Sequence, residues 1–153
     1  MSLQGRYGSI TRGMDLSGRF DGQTFTARIG SFTDGVDVRV TSGGAGLVGR
    51  VGGVTHGFDL EGSVQGRRLV IHLGGVTDGI DAWLEFTDDG ASGHYGTFTA
   101  GQDITLRHYA GEVRGHVGGY VSGTDFRLDL NEVPLPLGVL LVVCAVRVWG
   151  EKG

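Results

Sequence analysis

Along most of the chain, apolar residues fall on every second position. In the stretch after Asp59, Leu60, Gly62 and Val64 share one face while Glu61 and Ser63 share the other; further on, Leu69, Ile71 and Leu73 alternate with Val70 and His72. A period of two is the signature of a strand with one buried face. Between such runs stand short turn pairs, Asp21-Gly22, Gly43-Gly44, Gln65-Gly66, Asp89-Gly90 and Ala110-Gly111. Glycine there suits the left-handed conformations of tight hairpins. The pattern predicts β-hairpins.

The hairpins repeat. Asp stands at 15, 37, 59, 81, 103 and 125, always 22 apart, with a Gly two residues before each and a second Gly register at 8, 30, 52, 74, 96 and 118. GGVTHGFD from Gly52 and GGVTDGID from Gly74 are two of six copies of G-x-Φ-[TV]-x-G-x-D, in which Φ is Ile10, Phe32, Val54, Val76, Phe98 or Tyr120. A fixed period of this length marks a repeat architecture. The chain begins with half a hairpin, Leu3-Gln4-Gly5-Arg6-Tyr7, and its repeats end with another half, FRLDL from Phe126. Pairing these halves closes the sheet into about twelve antiparallel strands with no free edge.

A β-solenoid with 22-residue coils is the alternative. There the six Asp would stack roughly 4.8 Å apart, whereas in a hairpin meander they lie roughly 9.6 Å apart. Like charges at the shorter spacing cost about 1 kcal/mol per neighbouring pair even in water, and at the longer spacing they are largely screened. The closed barrel is therefore the expected fold: all-β, with one helix. A twelve-stranded barrel is roughly 24 Å across at the backbone, and inward glycines (18, 49, 62, 93 and 115) leave a lumen of about 12 Å, the width of a helix. Leu137 to Trp149 is apolar on nearly every side, as befits a helix surrounded by protein. Residues 1–132 then form the barrel and 137–149 its central helix, within a single domain. The alternatives for this run are a strand, which its many valines favour, and a membrane tail, although its uninterrupted part is shorter than the roughly 20 residues a spanning helix needs.

Six hairpins around a hydrophobic C-terminal helix resemble the tubby-like barrel superfamily: tubby C-terminal domains, phospholipid scramblases and LURP-one-related proteins. The resemblance is one of topology over the whole chain. It implies phosphoinositide or other lipid-linked roles and transfers no individual functional residue. A regular 22-residue repeat and a helix rich in valine depart from that family's pattern.

Composition narrows the functional classes. The net charge of −4 argues against a nucleic-acid binder. One cysteine, Cys144, excludes an internal disulfide framework and fits a reducing compartment; with no apolar h-region near the N-terminus, a cytoplasmic location is expected. No P-loop, G-x-S-x-G or Cys/His zinc spacing occurs in the sequence, so neither an enzyme nor a cofactor or metal is indicated. The repeated Asp reads as a turn residue accepting backbone N–H groups. Cys144 reads as helix packing, and Trp83 as an outward contact residue.

One outward position per repeat is cationic or can become so: Arg6, Arg28, Arg50, His72, His94 and His116. These six are the candidate ligand-binding residues. The bland reading is a solvated strand face; the functional one is a band able to meet phosphates, with its arginine side strongest. Leu69 to Leu106 has no Lys or Arg but holds Asp78, Asp81, Glu85, Asp88, Asp89 and Asp103, so the barrel should be electrostatically two-sided. The function expected is a non-enzymatic module for anionic, phospholipid-headgroup-like ligands, with peripheral membrane contact. Its alternatives are a structural or assembly protein presenting a repeat surface to protein partners, and a tail-anchored membrane-associated protein.

Overall fold

The computed structural model describes residues 1–152 except 32, 45, 54, 76–78, 98, 100 and 120–122. Five of the Φ residues (Phe32, Val54, Val76, Phe98 and Tyr120) and Asp78 lie outside the described residues. The alternating runs form strands β1 (Ser2–Gly8), β2 (Gly13–Phe20), β3 (Thr24–Ile29), β4 (Val36–Gly43), β5 (Gly46–Gly52), β6 (Gly57–Gln65), β7 (Arg68–Leu73), β8 (Ile80–Phe86), β9 (Gly90–Tyr95), β10 (Gln102–Tyr109), β11 (Glu112–Gly118) and β12 (Gly123–Asp129). Each pairs antiparallel with its sequence neighbours. The ring is closed by β1 on β12, where Gln4 faces Asp129 and Arg6 faces Arg127. The terminal half-hairpins complete each other and no sheet edge is left open, so the solenoid alternative is excluded.

The two rims differ. At the turn rim the connections are tight; Ala110 and Gly111, with φ of 52° and 85°, make the two-residue left-handed turn that matches strand twist. At the loop rim the connections are four residues long where the whole loop is described, as between Gly8 and Gly13. All six glycines of the 8-to-118 register have φ between 88° and 108°, a region where a side chain is strained. That register therefore marks the entry to each loop.

Helix α1 (Leu135–Lys152) starts at the turn rim and runs up the lumen. It is longer than the expected 137–149. Pro136 is compatible with a first turn, where an N–H has no helical partner anyway, and the N–H groups of Leu137 and Gly138 both reach the Pro134 carbonyl. From Leu137 to Val146 every residue is buried. Valine is a mediocre helix former, but a helix enclosed by apolar wall is held by packing rather than by propensity. Arg147 is the exception in this run: its Nη1 donates to the Leu73 carbonyl at 2.9 Å, and its guanidinium lies 4.2 Å from the Phe58 ring centroid. Near the loop rim Trp149 meets Tyr7 edge-on at 6.2 Å. No helix among the described residues is long and apolar enough to cross a membrane, and the apolar run is occupied with the wall. The membrane-tail reading of this run is thereby replaced.

Candidate functional site

At the loop rim, each hairpin register sets a cation opposite the repeated Asp: Arg6 faces Asp15, Arg28 faces Asp37, Arg50 faces Asp59, His72 faces Asp81, His94 faces Asp103 and His116 faces Asp125. All six pairs are in contact, at 2.5–2.9 Å. The same cation also donates to the carbonyl three residues on, Ser9, Ser31, Gly53, Gly75, Thr97 or Gly119, at 2.7–3.2 Å. Each clamp ties the loop's first residue to the returning strand. The Gly of Gly-x-Asp leaves room for it: a Cβ at Gly79, Gly101 or Gly123 would collide with the ring of His72, His94 or His116. The sixfold recurrence of the motif is thus the chemistry of one repeated loop closure.

This geometry changes the reading of the Asp. Among the described residues its carboxylate accepts from a cation across the ladder, not from backbone N–H groups as expected; Asp21, in a tight turn, does accept from the N–H groups of Gln23 and Thr24. It also places the six candidate cations. They do form a band at one level of the wall, and each guanidinium or imidazole has at least two internal partners.

Histidine fills both contacts only when doubly protonated, because Nδ1 faces a carboxylate and Nε2 faces a carbonyl, and neutral imidazole has one N–H. The pKa of all three is accordingly raised above 6.5, chiefly by the Asp81 and Asp125 hydrogen bonds for His72 and His116, and by the Thr97 carbonyl for His94. A raised folded-state pKa contributes stability that is complete below the unfolded value near 6.5 and is lost as pH rises through the folded value. Thermal melts should therefore show a lower Tm at pH 8.5 than at pH 6. The triple variant His72→Arg, His94→Arg, His116→Arg should lose that dependence, and equal wild-type melting at both pH values would refute the imidazolium clamp.

A second arrangement appears only once the strands are placed side by side. On the outer face Arg107 of β10 is opposite Arg114 of β11, Arg114 is opposite Arg127 of β12, and Arg127 is opposite Arg6 of β1. Four arginines thus form a row along the circumference. Like charges directly opposite are destabilising, and elsewhere on the wall, among the described residues, such a facing occurs only between Arg39 and Arg50 and between Glu112 and Asp129. Within the row, Arg6 is held by its clamp and Arg114 Nε by Glu112. Arg107 and Arg127 have no hydrogen-bond or ion-pair partner among the described residues. The row lines a groove of about 830 Å³ that also takes in Ser9, Ile10, His116 and Asp125, and Ile10 is 93% exposed.

The remaining candidates behave simply. Cys144 is fully enclosed and burial pushes its thiol up to about 12, which removes it as a nucleophile. Trp83 is on the outer face with the Arg68 guanidinium 4.5 Å from its ring centroid. No cluster of three or more metal-ligating side chains occurs among the described residues. No family model matches this chain, and no curated protein or solved structure matches it either.

Proposed function

We propose that this protein is a non-enzymatic binding module that takes phosphate-bearing anions, of the kind phospholipid headgroups present, on the face formed by β10, β11, β12 and β1. The observation that carries this reading is the arginine row, and within it the unpartnered Arg107 and Arg127. A folded chain that sets like charges in register sacrifices some stability there, and such local violations are expected where a site is built. Guanidinium forks match phosphate oxygens bidentately. The tubby-like resemblance, with its lipid-linked members, points the same way. Arg6 joins the site as its clamped end; Arg28 and Arg50, each held by an Asp, serve the loops.

Vesicle co-sedimentation tests the reading. Phosphatidylcholine vesicles carrying phosphatidic acid should retain the protein, and vesicles of phosphatidylcholine alone should not. The double variant Arg107→Ser, Arg127→Ser should lose retention at least about tenfold, the scale of one strong charge-assisted contact, while melting no lower than wild type. Replacing Arg28 and Arg50 by Ser should lower Tm instead and leave retention unchanged. Competition by free inorganic phosphate separates recognition of the phosphate itself from recognition of a membrane. Indifference of the wild type to phosphatidic acid and to free phosphate alike would remove the proposal.

A further inference from the structure

Carboxylates flank part of the arginine row. On the turn-rim side, two residues along β11 and β12, Glu112 faces Asp129, with uncharged Tyr109 and Gln4 at the same step on β10 and β1; on the loop-rim side Asp125 is paired with His116, and beyond Arg6, at the end of the row, stands the clamped Asp15. Neighbours two apart on one strand face lie roughly 7 Å from each other. The positive charge is therefore a row four strands long, with a negative rail of two carboxylates along the centre of its turn-rim side. A broad anionic surface laid on this face would meet Glu112 and Asp129 together with the arginines, and the repulsion would offset part of the attraction. A narrow chain of phosphoryl groups laid along the circumference meets only the row.

Length points the same way. Arg107 and Arg127 are two strand spacings apart, roughly 10 Å at the backbone. Side chains on a strand stand near the perpendicular, so drawing both arms onto one phosphate would cost rotamer freedom that a longer ligand leaves intact. The groove, at about 830 Å³, is also far larger than a single phosphate. We infer that the ligand of this face carries at least two phosphoryl groups in a linear array, a polyphosphate chain or a multiply phosphorylated headgroup, and that Glu112 acts as an internal competitor for Arg114. This inference rests on the anion-binding reading above and narrows it to a class.

Isothermal titration of the full chain with inorganic phosphate, pyrophosphate and tripolyphosphate tests the inference, with vesicles of phosphatidylserine or of a multiply phosphorylated inositol lipid as the membrane arms. Affinity should rise from phosphate to tripolyphosphate by at least about tenfold, and phosphatidylserine vesicles should be bound far more weakly than those with the polyphosphorylated headgroup. Arg107→Ser and Arg127→Ser should each bring tripolyphosphate down to the level of phosphate. Glu112→Gln should tighten tripolyphosphate severalfold, and Glu112→Gln with Asp129→Asn should admit phosphatidylserine by removing the turn-rim rail. Equal affinity for phosphate and tripolyphosphate, or wild-type preference for phosphatidylserine, would overturn the polyphosphoryl class and leave the anion module standing. If no anion and no vesicle bound, both would fall.

Discussion

Ending the chain at Pro134 abolishes cooperative unfolding. The barrel wall has no other means of filling its lumen, because among the described residues its inward faces are apolar and no polar or charged side chain is buried. Between Leu137 and Val148, α1 contributes three leucines and five valines that are at most 4% exposed. At about 1.5–3 kcal/mol for each such side chain, the loss is about 12–24 kcal/mol, comparable with or larger than the about 5–15 kcal/mol by which a domain of this size is stable. The truncated chain should bind a hydrophobic dye, keep at most fluctuating strand content by circular dichroism and show no sigmoidal melt. A milder variant isolates the cause: Leu141→Ala keeps the helix but leaves a cavity against the wall, and should cost about 2–5 kcal/mol in denaturant unfolding. A truncated chain that still melts cooperatively, or a Leu141→Ala variant as stable as wild type, would show that the wall stands without its plug.

The wall itself was legible from the letters because two independent periods agree. Alternation identified each strand, and the 22-residue interval fixed where hairpins begin and end; the half-hairpins at Leu3 and Phe126 then required closure. Less of the site could be read. Arg6 and Asp15 were recognisable as two outward residues, but their contact depends on register: a hairpin pairs positions placed symmetrically about the centre of its loop, which sets Arg6 opposite Asp15. The same arithmetic about Ala110 and Gly111 sets Arg107 against Arg114. The last step of the row, Arg127 against Arg6, crosses the seam between the chain's two ends, and no turn fixes that register. It follows only from how the barrel closes, which sums strand tilt and stagger over the whole ring. Helix length was misjudged for a similar reason. Propensity and apolar content locate the middle of α1, whereas its start is set by Pro134 at one rim and its last turn runs on past the contact of Trp149 with Tyr7 at the other.

The inward glycines carry the other large expected effect, and they divide in a way the alternation pattern does not show. Sequence alone suggests that all of them leave space for the helix. Around Gly93, however, the space is taken by the neighbouring strand: a Cβ there would press into the Trp83 carbonyl and sit 2.7 Å from the Leu84 Cα. Gly49 is similar, its Cβ falling 2.9 Å from the Val40 Cα. At Gly62 the nearest atom is the Val70 carbonyl oxygen at 3.5 Å, an ordinary contact. Backbone in a closed ring cannot yield locally as a flexible side chain can, so Gly93→Ala should cost about 3 kcal/mol or more, at the upper end of overpacking effects. Gly62→Ala should be neutral or stabilising by up to about 1 kcal/mol, since it restricts the unfolded chain at a position with room for a methyl group. Chemical denaturation of the two variants side by side checks the contrast. Equal effects at both sites would mean that the glycines do serve the lumen and that strand approach at Gly93 does not limit the fold.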